Sequence, residues 1–151
     1  MDKIIMQTVR LHCNTHHAFQ MFTLNEYLQS WLAPLTEVEP EVGGKYELIW
    51  NQADPMSNST IGCKITAIVP DKLLAFEWKG PEQFKQIMND VDPLTHVTVF
   101  FLPADELFTA STDIYLIHTG WRNTPGWDMA RRWFIRAWEN AFEELRRQVN
   151  N

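Results

Sequence analysis

The clearest pattern of hydrophobic and polar positions lies near the C-terminal end of the chain. Apolar residues recur there at three- and four-residue steps from Trp127 to Leu145, and charged residues fill many of the positions between them. Thr124 is a favourable N-cap, and Pro125 suits the first helical position, where a missing N–H costs nothing. The pattern predicts an amphipathic helix from Pro125 to about Val149, roughly 37 Å long.

Alternation of apolar and polar residues predicts strands in the preceding part of the chain. The predicted strands are 4–13, 45–50, 62–69, 73–79, 95–102 and 108–118. Asn14 and Thr15 are N-cap candidates for a short helix that ends near Phe22. A second short helix is predicted at 25–32, because Pro34 cannot continue it.

The order of these elements indicates the fold class. A strand, two short helices, a run of strands and one long helix form an α+β order rather than an alternating βαβ order. We therefore predict one domain over residues 1–151, with a curved antiparallel sheet of about six to seven strands around the C-terminal helix. A curved sheet supplies the concave surface that so long an apolar stripe needs. Residues 80–93 are a long excursion between two strands.

Composition and charge narrow the classes of function. The chain has 19 acidic and 13 basic residues and a net charge of −6, which disfavours binding to a nucleic-acid backbone. No apolar run approaches the roughly 18 residues that a membrane span requires. The first residues become polar too soon for a secretory signal. Cys13 and Cys63 form no CxxC pair, so we expect reduced thiols and a cytoplasmic location.

One segment, His12 to His17, brings potential metal ligands together at short spacing. His12 and Cys13 are neighbours on a predicted strand, so their side chains point to opposite faces. His16 and His17 fall in the first turn of the following helix. This spacing does not suit the tetrahedral set that zinc prefers. We expect a core cysteine and surface histidines, with no metal and no cofactor.

The candidate binding residues are mostly aromatic, since the chain has 7 Trp, 9 Phe and 3 Tyr. Flat rings offer a large contact area at a low entropic cost. The predicted cavity wall consists of Tyr46, Trp50, Phe76, Trp78, Phe100, Trp133, Phe134 and Trp138, with His118 at its rim. The same rings could instead fill the core and leave no cavity, and the pattern leaves both possibilities open.

No catalytic set is predicted. His118 ends a strand near Trp121, but no nucleophile or carboxylate partner stands near it in the sequence. Glu47 and Glu77 have the opposite strand parity to the inward residues beside them, so alternation places these carboxylates in solvent.

Several motifs together resemble the family of activators of Hsp90 ATPase, within the START and Bet v 1-like superfamily. Each motif is weak alone, but the set follows the family order over nearly the whole chain. The motifs are Val42–Tyr46, Lys64–Leu73, Phe76–Trp78, Thr112–Trp121 and Ala137–Trp138 with Leu145. The resemblance implies a helix-grip fold whose sheet and helix enclose a cavity, often apolar, for lipids, sterols or polyketides. It implies no catalytic residue, and the excursion at 80–93 is longer than in typical members.

Three functions are compatible with this resemblance. The first is a non-enzymatic binding or carrier domain for a hydrophobic or aromatic small molecule. The second is a chaperone-associated protein-interaction module, which would connect the chain with the stress response. The third is a cyclase- or hydrolase-like enzyme, which would need polar groups that converge inside the cavity. Fold alone does not decide among them.

Overall fold

The computed structural model describes residues 3–104 and 106–151, and its elements follow the predicted order. They are β1 (Ile5–Leu11), α1 (Thr15–Thr23), α2 (Asn25–Trp31), β2 (Leu35–Val38), β3 (Tyr46–Ile49), β4 (Ile65–Val69), β5 (Leu73–Trp78), a 3-10 turn (Glu82–Phe84), α3 (Lys85–Met88), β6 (Thr95–Pro103), β7 (Thr112–Thr119) and α4 (Pro125–Asn150). None of the helices in these two ranges has both the length and the apolar character that crossing a membrane requires.

Five strands form one antiparallel sheet in the order β1-β7-β6-β5-β4, and β2 pairs with β3 in a second, two-stranded sheet. A bridge between Lys45 and Lys64 connects the start of β3 with the start of β4. The ladder of β4 and β5 shifts register between Ile65 and Ala67, and such an irregularity bends a strand. The predicted α+β class, with a curved antiparallel sheet and a long C-terminal helix, is confirmed.

Helix α4 begins at Pro125, as predicted, and ends one residue beyond the predicted end. The Thr124 hydroxyl accepts a hydrogen bond of 3.2 Å from the Trp127 N–H. The buried face of the helix consists of Trp127, Ala130, Phe134, Trp138, Phe142 and Leu145. This face lies against the inner side of the sheet and against α2, so the apolar stripe has the partner that its width required.

The core is packed unevenly along α4. Near the C-terminal half of the helix, the Phe142 ring meets the rings of Phe22 and Trp31, each at 6.3 Å between centroids. Phe22 also contacts Phe101 of β6 at 5.4 Å. Helix α1 therefore fills the space between α4 and the sheet at that end. Any open space is left nearer the middle of the helix.

Several parts of the chain differ from the prediction, and one of them is β4, which begins at Ile65 rather than 62. Strand β2 was not predicted, because four residues are too few to show a reliable period. Strand β7 begins at Thr112 rather than 108, since Phe108 lies in a turn, with φ of 68° and 98% of its surface exposed. The excursion at 80–93 contains only a 3-10 turn and one turn of helix, although its apolar residues have near-helical spacing.

The N-cap of α4 gives a first testable prediction. Changing Thr124 to Ala removes the hydroxyl acceptor of the Trp127 N–H and should lower the free energy of unfolding by about 1 kcal/mol. Thr124→Ser keeps the acceptor and should change it by less than about 0.5 kcal/mol. Urea denaturation of both variants measures the difference. Equal loss in the two variants would show that the hydroxyl does not cap the helix.

Candidate functional site

A groove of about 420 Å³ lies between α4 and the ends of α2, β3 and β5. It reaches the surface, since Trp133 at its rim is 40% exposed and Asn140 is exposed as well. The groove is lined by Trp31, Leu32, Trp50, Asn58, Trp78, Lys79, Pro81, Trp133, Phe134, Ala137, Trp138, Asn140, Ala141 and Glu144. Most of this lining is ring or aliphatic surface, as is usual for a small-molecule site.

The tryptophan rings support one another and give the groove a defined wall. Trp78 tilts against Trp138 at 5.2 Å between centroids and meets Trp50 edge-on at 6.0 Å. Trp133 stands edge-on to Phe134 at 4.8 Å. These edge-on and tilted arrangements are the favoured ones for aromatic pairs. The groove is therefore walled by packed rings rather than by mobile side chains.

The indole N–H groups of the five tryptophans that line the groove divide into two sets. Three of them donate to acceptors within the protein: Trp31 to the Met21 carbonyl at 2.8 Å, Trp50 to the Leu32 carbonyl at 2.9 Å, and Trp138 to Nδ1 of His118 at 3.1 Å. Among the hydrogen bonds of the described residues, none uses the N–H of Trp78 or Trp133. These two donors are available to an occupant of the groove.

His118 lies directly behind the groove and is fully buried. Because the Trp138 N–H donates to Nδ1, the ring proton is assigned to Nε2, which donates to the Thr95 hydroxyl at 3.0 Å. Thr95 in turn donates to the Trp78 carbonyl at 3.1 Å. Burial, with a smaller contribution from His96, lowers the His118 pKa to about 3. The imidazole is therefore neutral near neutral pH and ties α4 to three strands.

Four polar side chains line the groove: Asn58, Lys79, Asn140 and Glu144. The Lys79 ammonium donates to the Ile61 carbonyl at 2.6 Å. Glu144 accepts from Arg147 at 3.3 Å and from Gln148 at 3.0 Å. Such groups can orient a ligand through hydrogen bonds and charge.

Both thiols lie outside the groove lining. Burial raises the pKa of Cys13 to about 11 and that of Cys63 to about 12. Both are protonated at neutral pH, and a protonated thiol is a poor nucleophile. In the segment with the short-spaced histidines, Asn14 caps α1 by accepting from the His17 N–H at 2.8 Å, and Nδ1 of His16 lies 2.9 Å from a carboxylate oxygen of Asp71.

The structure brings together five of the nine residues that the sequence placed around a cavity. Trp50, Trp78, Trp133, Phe134 and Trp138 line the groove. Tyr46, Phe76 and His118 do not; they are fully buried behind it. Tyr46 stacks on Phe76 at 3.9 Å, and its hydroxyl donates to the Phe22 carbonyl at 2.8 Å.

The prediction that Phe100 belongs to the cavity wall requires a correction. It pairs with Tyr115 across β6 and β7, while its neighbours Val99 and Phe101 are buried on the inner face. Successive side chains of a strand point to opposite faces, so Phe100 lies on the outer face of the sheet and contributes nothing to the groove. Phe101 occupies the inner position.

Nine further lining residues were not predicted from the sequence. Those on α4 could have been found from their helical spacing. Ala137 stands four positions from Trp133, Ala141 stands three from Trp138, and Glu144 stands three from Ala141. Trp31 lies at the end of a short helix and Asn58 in a loop. Neither has a periodic pattern that could have indicated a site.

Residues 13–150 match the family model described as "Activator of Hsp90 ATPase homolog 1-like protein". No curated protein shows significant sequence similarity to the chain. Among solved structures, a protein from Mesorhizobium loti is 17% identical with a TM-score of 0.74, covering 96% of this chain and 95% of its own.

Two further solved structures match nearly the whole chain. An HSP90 activator from Plasmodium falciparum is 20% identical, with a TM-score of 0.66 and coverage of 94% of this chain and 92% of its own. The Aha1 dimer from Colwellia psychrerythraea is 16% identical, with a TM-score of 0.66 and coverage of 97% and 96%. At these identities the likeness to the solved structures shows the fold alone.

Proposed function

The chain belongs to the family of Activator of Hsp90 ATPase homolog 1-like proteins, and from that premise we propose that its groove binds a hydrophobic or aromatic small molecule. The role is that of a non-enzymatic binding or carrier domain. The observation that carries the proposal is the groove itself, in which five tryptophans and one phenylalanine surround about 420 Å³ of space.

The energetics of such a site favour flat, apolar ligands. Burial of apolar surface contributes about 25 cal/mol per Å², so a ligand that buries about 200 Å² gains roughly 5 kcal/mol before the cost of association. The packed rings are already in place, which keeps the ordering cost low. The groove volume lies within the usual range for small-molecule sites.

Filling the groove tests this proposal. Ala141 lines it from α4 and is half-buried, so Ala141→Leu adds three carbon atoms to the open space while keeping a good helix former. We expect the native protein to bind the neutral fluorophore N-phenylnaphthylamine. The variant should raise its dissociation constant by about tenfold or more, because the added side chain displaces ligand contacts. Fluorescence titration measures the constant, and thermal unfolding checks that the variant folds.

The matched control is Ala53→Leu, the same change in an exposed loop outside the groove lining. It should bind the fluorophore like the native protein. If the native protein did not bind the fluorophore, the groove would not be a ligand site for neutral aromatic molecules. If both variants bound equally well, the fluorophore would occupy a different surface.

Association with an Hsp90-type chaperone is the second candidate, favoured by the family description and by the name of the Plasmodium falciparum structure. A cytoplasmic location and a role in the stress response would follow from it. Such a contact needs an outer surface rather than an open groove. Ala141→Leu therefore separates the two functions, since it should weaken binding of a small molecule and leave a chaperone contact unchanged.

A further inference from the structure

The charges around the groove are arranged asymmetrically. Lys79 and Glu144 both line it, one from the end of β5 and the other from α4. Glu144 is compensated on its own helix, because it forms an ion pair with Arg147 and a hydrogen bond with Gln148. Among the ion pairs that the described residues form, none includes Lys79. The groove therefore presents one cation that lacks a carboxylate partner.

We propose that the groove selects ligands that carry an acidic group on an apolar or aromatic body, and that the Lys79 ammonium binds the acid. This inference rests on the proposed function and names the class of ligand for the same site. The aromatic walls would hold the body of the ligand. The acidic group would lie at the end of the groove formed by β5 and the loop that precedes β4.

The position of the ammonium is well defined. Its Nζ donates to the Ile61 carbonyl at 2.6 Å, and a Cβ placed on Gly62 would lie only 3.1 Å from it. One of its three protons is thereby used, and two remain for a ligand. Asn58 and the unused N–H of Trp78 line the same groove and provide further donors. Several donors and one cation suit a carboxylate, which accepts hydrogen bonds only.

Two other carboxylates approach this end of the groove from the outer side of the strands. Glu47 accepts from the Gly62 N–H at 2.9 Å, and Glu77 accepts from the Lys64 N–H at 3.0 Å. Neither lines the groove. Each accepts a hydrogen bond from a backbone N–H at the start of β4 or in the loop before it. Neither forms an ion pair with Lys79 among the described residues.

The test compares an acid with its neutral isostere. Biphenylcarboxylate and biphenylcarboxamide have the same ring body, and each is titrated near neutral pH as a competitor of bound N-phenylnaphthylamine. We expect the native protein to prefer the acid by about tenfold, the size of one charge-assisted hydrogen bond. Lys79→Met keeps the aliphatic stem and removes the charge. It should abolish the preference while leaving the amide constant within about twofold.

Lys64→Met is the matched control, because Lys64 is an exposed lysine nearby that does not line the groove. It should keep the full preference for the acid. Should Lys79→Met fail to fold, the native protein still decides the matter. Its constant for the acid should weaken as salt rises from about 0.05 M to about 0.5 M, and its constant for the amide should not.

Removing the negative charge of Glu144 gives an independent measure of the preference for acids. Glu144→Gln should strengthen binding of the acid by about twofold and leave binding of the amide unchanged, because a like charge in the groove is lost.

If the native protein bound acid and amide equally while it bound the fluorophore, the proposed preference for acids would be wrong and the groove would remain a binding site. If the fluorophore did not bind at all, the proposed function itself would fail.

Discussion

Replacing Trp138 by Ala should lower the free energy of unfolding by about 3–5 kcal/mol, the usual cost of removing a large buried ring. Trp138 is 3% exposed and packs against Trp78 at 5.2 Å and Phe142 at 6.4 Å. The loss also removes the donor to His118 Nδ1 and leaves a buried acceptor unsatisfied. Urea denaturation with linear extrapolation measures the change.

Two variants separate the causes of this loss. Trp138→Phe keeps a ring but removes the N–H, so its destabilisation should fall between those of the native protein and Trp138→Ala. Trp133→Ala removes the same side chain from the same helix at the exposed rim and should cost less than about 2 kcal/mol. An unchanged denaturation midpoint for Trp138→Ala would contradict the assignment of this helix face to the core.

Lowering the pH from about 7 to about 5 should destabilise the protein by about 2 kcal/mol through His118 alone. Its pKa falls from the ordinary value of 6.5 to about 3 because the ring is buried. Between these two values the unfolded chain binds a proton that the folded protein does not bind. Stability therefore declines as the pH falls below about 6.5, by about 1.4 kcal/mol for each pH unit.

Urea denaturation at a series of pH values between about 7.5 and about 5 tests the role of His118. This range lies above the ordinary carboxylate pKa values, so acidic groups contribute little to the slope. His118→Gln should be less stable than the native protein at every pH. The loss of stability between about pH 7.5 and about pH 5 should be about 2 kcal/mol smaller in this variant than in the native protein. His12→Gln, at an exposed position, should keep the native slope. Equal slopes for native protein and His118→Gln would mean that the buried ring titrates normally.

The sequence predicted α4 almost to the residue because two independent signals agree there. The apolar stripe has a helical period, and Thr124 with Pro125 specifies the start. The groove residues on α4 and β5 follow from that helix and from the strand opposite it. The periodic part of the site was therefore predictable in its main features.

The rest of the site depends on tertiary contacts that no local pattern encodes. Residues 97–102 are mostly apolar, so alternation alone could not decide whether Phe100 or Phe101 points inward. The register that pairs Phe101 with Ile114 decides it. Trp31 and Asn58 reach the groove only because α2 and a loop are folded against α4.

The hydrogen bond from Trp138 to His118 also means that one side of the groove is held more rigidly than the other. The Trp138 indole donates to the buried His118 imidazole and packs against the Trp78 ring. The floor of the groove, formed by Trp138 and Trp78, therefore cannot adjust its shape to an occupant. Trp133 lies at the rim with 40% of its surface exposed, and only ring contacts with Phe84 and Phe134 position it among the contacts of the described residues. Selectivity for ligand shape should thus be strict at the floor and tolerant at the mouth.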